Sequence, residues 1–499
     1  MRKPIKIIII QSINMISLEQ ILKDFTLSGE SRDIMLKNRE YVPEEFAKIA
    51  RIVLAGCFTV SSKDKSIIVR PTSIEFYYHE EIEGGIKDPI VYHRNSKKTF
   101  KDIFNFGILH NHASGIDITF EKGCNPNLAV RASILIREFE IDGKHDNRST
   151  MLYEMLYQQA SIFDGISVKW VDGDNEVDVM SYPRKNVALY NEKGEKIEAT
   201  RFPKCPHTED KKYVQDMRKW QFKKKLITDK ETDIVYMSDL LSDECPHFYK
   251  RFMNLLQTNK IPFGIIKNTN DIWVRDYMPV QIYKNHFVQY CYNPDYLQGS
   301  EEDKESITDA NAICQNLNIP CYKTELVIDG GNVVKAGRYV IMTEKVYAEN
   351  KHLSPAEIRK QLKEMFHCDV LMLPWDKYEK YGHADGIVKA IDDKTVLLTN
   401  YEDYDSKISA KFEEKLSQHF IVKKLYYNVA QRSNYNWAYI NFLRIGKYII
   451  LPGLGIPEDN QAFEQIRNYY PDCTILQIDA LEVVCKGGAL NCITWNIKR

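Results

Sequence analysis

Two glycines followed by a cysteine near the end of the chain, in Gly487-Gly488-Ala489-Leu490-Asn491-Cys492-Ile493-Thr494, constrain this protein more than any other segment. Glycine pairs let backbone turn tightly and approach a ligand, and a thiol delivered on such a turn is a candidate nucleophile. Cys492 stands only seven residues before Arg499. If it reacts, the fold has to close before the reactive centre exists, with partner groups supplied by earlier segments. Three earlier segments qualify: Trp273-Val274-Arg275-Asp276, Asp329-Gly330-Gly331-Asn332 and Gly382-His383-Ala384-Asp385-Gly386.

A chain of 499 residues exceeds one ordinary core, so two domains are expected. Its 69 acidic and 68 basic residues nearly cancel, which leaves no overall electrostatic footprint for nucleic acid or an anionic membrane. Eleven cysteines without a CxxC pair read as free thiols of a reducing compartment. The start, MRKPIKIIIIQSINMI, imitates a signal peptide, but Gln11 and Asn14 interrupt the isoleucine run and no small-residue cleavage site follows. We expect a cytoplasmic protein, with Met15 a plausible alternative start. No apolar stretch approaches the roughly 20 residues that span a bilayer.

The segment from Ala199 to Lys230, with Pro203, Pro206 and a run of lysines (Lys211, Lys212, Lys219, Lys223, Lys224, Lys225), reads as a boundary. This predicts an N-terminal accessory domain over 1–205, a solvated basic linker over 206–230 and a second domain over 231–499. In that last part, strand-like apolar runs begin near Ile261, Glu325, Asp369, Ile421 and Thr474, at spacings of 64, 44, 52 and 53 residues. Helical patterns lie between them. Ser354-Pro355-Ala356-Glu357 has the form of a capping box with proline at the first helical position. Ile408, Phe412 and Leu416 make one apolar stripe, and Phe463, Ile466 and Tyr470 another. Five strand-and-helix units point to an α/β fold, either repeated modules around an axis or an open doubly wound sheet. In the N-terminal half, Ile67-Ile68-Val69, Ile74 to Tyr78 and Ser133 to Ile136 are strand-like, and we expect a separate mixed domain.

Paired carboxylates hold a planar guanidinium by bidentate hydrogen bonds, and a cation beside Cys492 would favour the thiolate. Such a thiolate can attack the guanidinium carbon, with His383 first protonating the departing ammonia and then deprotonating water. The segments WVRDYMP, DGGN, GHADG, AYINF (Ala438 to Phe442) and GGALNCIT, in this order, resemble the agmatine deiminase and bacterial-type peptidylarginine deiminase family. The resemblance covers roughly Asp233 to Arg499. It implies a five-bladed α/β propeller that hydrolyses a guanidino group of a small guanidine or a peptidyl arginine, with no cofactor and no metal. It further implies that Cys492 is the nucleophile, His383 the acid and base, and Asp276 and Asp385 the guanidinium ligands. Asn441, Asp329, Asn332 and Trp273 match positions that contact substrate or support the site. Two departures bear on substrate: Met278 replaces the usual glycine of the WxRDxGP motif, and Asn491 replaces the histidine that usually precedes the cysteine in agmatine deiminases.

In the N-terminal half, PTSIEFYYHE, ILHNHASGIDITF and ASILIREFE resemble the core of methylpurine DNA glycosylases, in which Glu75 would activate water. That would bring a nucleic acid partner. His79, His93, His110 and His112 offer nitrogen ligands, but His110-Asn111-His112 has no carboxylate or cysteine at a metal-binding spacing and reads as a polar loop. Two rivals to a deiminase are a catalytically degenerate propeller used for binding and an amidinotransferase passing the covalent group to an amine.

Overall fold

The computed structural model describes residues 17–38, 40–63, 65–88, 105–112, 114–125, 127–142, 144–158, 163, 165–173, 177–187 and 214–499. The expected Met15 start, His93, Pro203, Pro206, Lys211 and Lys212 lie outside them, as does the His112 side chain. The chain divides into two compact units, Met1–Lys225 and Leu226–Arg499.

In the first unit a nine-stranded sheet runs in the order Leu109–His112, Gly115–Thr119, Val130–Ile141, Ser66–Glu80, Cys57–Ser61 and Ser167–Val171, with three further strands pairing off this path. The three predicted strand segments fall within Ser66–Glu80 and Val130–Ile141. One face packs on the helix Glu44–Ala55, whose Phe46, Ile49, Ala50, Val53 and Leu54 are buried. Phe46 stacks on Phe76 at 4.7 Å between ring centroids. The other face carries alternate residues of the same strands, including Ser73, Glu75 and Tyr77, all buried.

Two expectations fail here. Val214–Lys224 is a strand, pairing with Ser66–Glu80 and Val179–Val187, so the stretch 214–224 of the proposed basic linker over 206–230 belongs to the sheet, while 206–213 lie outside the described residues. Trp220 and Phe222 alternate onto the apolar face, which a lysine count conceals. The segment His110-Asn111-His112 is likewise strand and not loop, paired with Gly115–Thr119.

The second unit consists of five three-stranded sheets. In four of them a short hairpin is followed by a helix or loop crossover and a strand parallel to the hairpin's second strand. These are Val280–Tyr283, His286–Cys291 and Cys321–Val327, then Val334–Ala336, Tyr339–Thr343 and Asp369–Leu373. Next come Val388–Ala390, Thr395–Leu398 and Ile421–Lys424, and finally Leu443–Ile445, Tyr448–Gly453 and Thr474–Asp479. The fifth sheet joins the two ends of the unit: Trp495–Ile497 pairs antiparallel with Ile234–Ser238, which pairs parallel with Phe263–Ile266. The unit is therefore α/β, and its repeat is two strands, a crossover and a third strand, not the single strand and helix that spacing predicted. The missed strands are three to six residues long, short runs whose type periodicity alone does not decide. The capping box at Ser354 forms as read, opening the helix Pro355–Phe366.

Residues 226 to 231 belong to this unit. Leu226 sits in its core, and Asp229 accepts a hydrogen bond from Asn496 at 3.1 Å. The boundary drawn at 231 thus falls too late. Trp495 is buried at the joining strand and donates its indole N–H to the carbonyl of Pro279 at 2.8 Å. Trp495→Ala removes both the ring and that bond. It is expected to destabilise the protein by about 3–5 kcal/mol, read as a lowered urea midpoint of the unfolding transition that reports this unit.

Candidate active site

Immediately before the first strand of each of the four hairpin sheets, and before the joining strand Trp495–Ile497, the chain makes a short helical turn or tight turn, and these turns carry the predicted residues. Val274–Tyr277 brings Asp276, Gly330–Asn332 follows Asp329, and Ala384–Gly386 follows His383 and contains Asp385. Asn436–Asn441 ends on Asn441, and Cys492 lies on the turn that leads into Trp495–Ile497. Backbone bonds tie the last of these turns to its neighbours. The Asn491 N–H donates to the Asn441 carbonyl at 3.0 Å, and the Arg275 N–H donates to the Cys492 carbonyl at 3.1 Å.

Three of the predicted side chains meet above Gly331. A Cβ on that glycine would lie 2.6 Å from Asp276 Oδ1, 2.7 Å from His383 Nδ1 and 3.3 Å from Asp385 Oδ1. Only glycine leaves that space open. Its own N–H donates to Asp276 Oδ1 at 2.8 Å. Cys492 Sγ is 3.2 Å from Asn441 Oδ1, to which the thiol donates, and 3.8 Å from Asp385 Oδ2. The Cys492 N–H also donates to Asn441 Oδ1, at 3.3 Å. Trp273 packs its ring against Gly488, where a Cβ would come within 2.3 Å. That contact fixes the glycine turn ahead of the thiol.

His383 sits between two carboxylates, with Nε2 at 2.9 Å from Asp329 Oδ2 and Nδ1 at 3.6 Å from Asp276 Oδ1. Burial works against the imidazolium, but Asp276 and Asp329 outweigh it and push the pKa up to about 10. Burial raises Asp276 to about 6, with Asp329 and Asp385 adding to the effect and His383 opposing it. Asp329 moves the other way: burial is overcome by His383 and Lys345, and the carboxyl stays below its ordinary range. Burial, reinforced by Asp385 and Asp276, pushes the Cys492 thiol well up. The free protein therefore holds a neutral thiol beside an imidazolium.

Cys492, His383, Asp385 and Asn441 all line one cleft of 590 Å³. Asp276 reaches the same cluster from below. Asp329 and Asn332 do not line the cleft. Asp329 is buried behind His383, and Asn332 Oδ1 accepts the Thr343 N–H at 2.8 Å. Sequence matching placed both with the substrate contacts, whereas both support groups that face the cleft. Lys345 was missed. It is fully buried, 3.0 Å from Asp329 Oδ2 and 3.2 Å from Glu349 Oε1, and nothing in Thr343-Glu344-Lys345-Val346 distinguishes it from a surface lysine. In the other unit, Glu75 is buried with its oxygens held by Arg137 and by the Tyr77 hydroxyl, at 2.9 Å from the latter.

The profile of the Porphyromonas-type peptidyl-arginine deiminases matches residues 206–497. The chain belongs to this family. A Vibrio parahaemolyticus relative, provisionally named an agmatine deiminase, is 25% identical over 301 residues, covering 51% of this chain and 82% of its own length. An Enterococcus faecalis relative with the same provisional name is 24% identical over 275 residues, covering 46% of this chain and 74% of its own. A solved Campylobacter jejuni agmatine deiminase aligns with 55% of this chain and 96% of its own at 19% identity, with a TM-score of 0.45. Among the described residues no helix is long and apolar enough to cross a membrane.

The His383 environment makes a direct prediction. Its folded pKa lies above the ordinary histidine value near 6.5, so its stabilising contribution is fully present below that pH and fades as pH rises through about 10. In histidine-labelled protein followed by NMR, the His383 ring is expected to stay protonated through pH 9 and to titrate near 10. Asp276→Asn should lower that midpoint.

Proposed function

We propose that the protein hydrolyses a guanidino group to a ureido group and ammonia through a covalent thiouronium on Cys492. The observation that carries this reading is the convergence of Asp276, Asp385 and His383 over Gly331, next to the thiol. On this reading the five sheets are blades arranged about an axis. Their leading turns point into one central site, which accounts for every turn supplying at least one functional group.

The chemistry follows from burial and charge. Two carboxylates form a bed for a planar cation, and burial, reinforced by these carboxylates, keeps the thiol protonated while the bed is empty. Entry of a guanidinium cancels their charge and releases the thiol proton to solvent. The thiolate then bonds to the guanidinium carbon. His383, already protonated, gives its proton to one nitrogen, the C–N bond breaks and ammonia leaves. The neutral imidazole next takes a proton from water, hydroxide adds to the thiouronium carbon, and the C–S bond breaks as the new hydroxyl loses its proton to solvent, releasing the neutral ureido product and regenerating thiolate. Asp329 and Lys345 act through His383 by fixing its ring. Asn441 orients Cys492 by accepting from both its N–H and its thiol.

The cleft wall bears on the substrate. It carries Asp376, Glu379 and Asp405 with Tyr378, Tyr401 and Trp437, and among the described residues neither lysine nor arginine lines it. A wall of that charge favours a guanidine with a cationic tail, such as agmatine, over free arginine, whose carboxylate finds no partner there. We assign the activity to residues 226–499 and an accessory role to the N-terminal unit.

Ammonia release measured across agmatine, arginine and arginine peptides tests the reading, with agmatine expected to have the highest kcat/KM. No release from any of them would refute it. Cys492→Ala should abolish turnover without loss of fold. Asp385→Asn should lower kcat/KM by roughly a hundredfold or more, because a bidentate charge-assisted contact is lost. In His383→Ala, intact mass under saturating substrate should show an adduct on Cys492, since the nucleophile remains while proton transfer fails.

A further inference from the structure

We propose that Asn491 and Lys389 form a positioning pair that aims Asp385 at the substrate cation, an inference that rests on the role given to Asp385 above. Asn491 bridges two buried charged groups. Its Nδ2 donates to Asp385 Oδ2 at 2.7 Å, and its Oδ1 accepts from Lys389 Nζ at 2.7 Å. All three residues are almost completely buried. Lysine can only donate and a carboxylate can only accept, so the amide has one permitted orientation. Its backbone is equally constrained: the N–H is held by the Asn441 carbonyl, and the carbonyl accepts from Arg275 Nε at 3.2 Å.

This arrangement solves a conflict at Asp385. A buried carboxylate needs a partner, but a lysine in direct contact would occupy the charge that the guanidinium must find. Among the described residues no lysine or arginine makes an ion pair with Asp385. Lys389 is instead set one amide away, where it pairs with Asp229 Oδ2 at 3.3 Å and polarises the Asn491 carbonyl. Asp385 therefore receives a neutral donor on Oδ2 in place of a cation. Its Oδ1 is left over Gly331, alongside Asp276 and His383. Local sequence builds the geometry. Lys389 follows Asp385 by one short turn into the strand Val388–Ala390, and Asn491 directly precedes the nucleophile, so one backbone turn positions both Sγ and the amide.

The pairing also gives meaning to the departure at position 491. A neutral imidazole can accept from Lys389 through one nitrogen and donate to Asp385 through the other. Histidine is therefore a functional substitute, whereas leucine, of similar size, can do neither.

Chloroacetamidine, a planar cation, and chloroacetamide, its neutral counterpart, both alkylate a thiol by the same displacement, in which the S–C bond forms as chloride leaves. The ratio of their rates at Cys492 of the full-length protein, read by peptide mass mapping, measures cation capture without requiring turnover. The wild type should prefer the cation, and Asp385→Asn should lose that preference. Asn491→Leu should lower the ratio roughly ten- to hundredfold, as expected for losing a hydrogen bond to a charged group. Lys389→Met should lower it in the same direction, while Asn491→His should retain it. A purely structural role would slow both reagents together and leave the ratio unchanged. The proposal is overturned by an unchanged ratio in Asn491→Leu or Lys389→Met, by loss of the preference in Asn491→His, or by a wild type with no preference. Circular dichroism identifies any variant that fails to fold, in which case the remaining two decide. Turnover assayed in parallel separates the two claims: the expected ratios with no ammonia from wild type would refute the hydrolase reading and leave the pairing standing.

Discussion

The buried imidazolium of His383 is the interaction on which the rest of the site depends. A charge removed from water is tolerated only when paired and hydrogen-bonded, and His383 has a carboxylate on each ring nitrogen. Those carboxylates in turn need partners. Asp329 has Lys345, which also holds Glu349 and Asp295, and Asp276 has the Gly331 N–H. Removing any one member leaves another charge uncompensated, so the network fixes its members in place more than it contributes net stability. Asp385 stands apart, held by a neutral amide and available to a cation.

Such a cluster could not be assembled from one stretch of chain. Acidic, basic and nucleophilic positions are brought together because the same local event recurs, a short turn ahead of a strand, and the pairing of that strand fixes the direction of the turn. Neighbouring turns touch through side chains and backbone, and the joining strand Trp495–Ile497 secures the last one against Ile234–Ser238. The thiol close to the end of the chain is thus positioned by the strand that follows it. The cleft, the cluster of carboxylates and the histidine between them all take their geometry from this repetition.

The first unit follows a different logic. Its sheet is apolar on the helix-covered face and carries buried polar groups on the other, where Glu75, Arg137 and Tyr77 satisfy one another. Strands with both faces buried lack the alternation of a half-exposed sheet. This is why the N-terminal sequence yielded strands without an architecture, and why a strand rich in lysine passed for a linker. The aromatic residues on that strand, Trp220 and Phe222, were the available signal.

In the second unit the sequence alone determined a good deal. The order of five short motifs identified the family, marked Cys492, His383, Asp276 and Asp385, and placed the edge strands and three helices, because these features are written in local residue types and helical period. Tertiary structure decided what depends on distant partners. It turned Asp329 and Asn332 from substrate contacts into supports, revealed Lys345 as a buried counter-ion, and showed that Asn491 and Lys389 meet at Asp385. It also set the repeat at three strands, since a three-residue strand exists only through the neighbours it pairs with. Burial and charge balance are properties of the folded neighbourhood, and no single segment of the chain contains them.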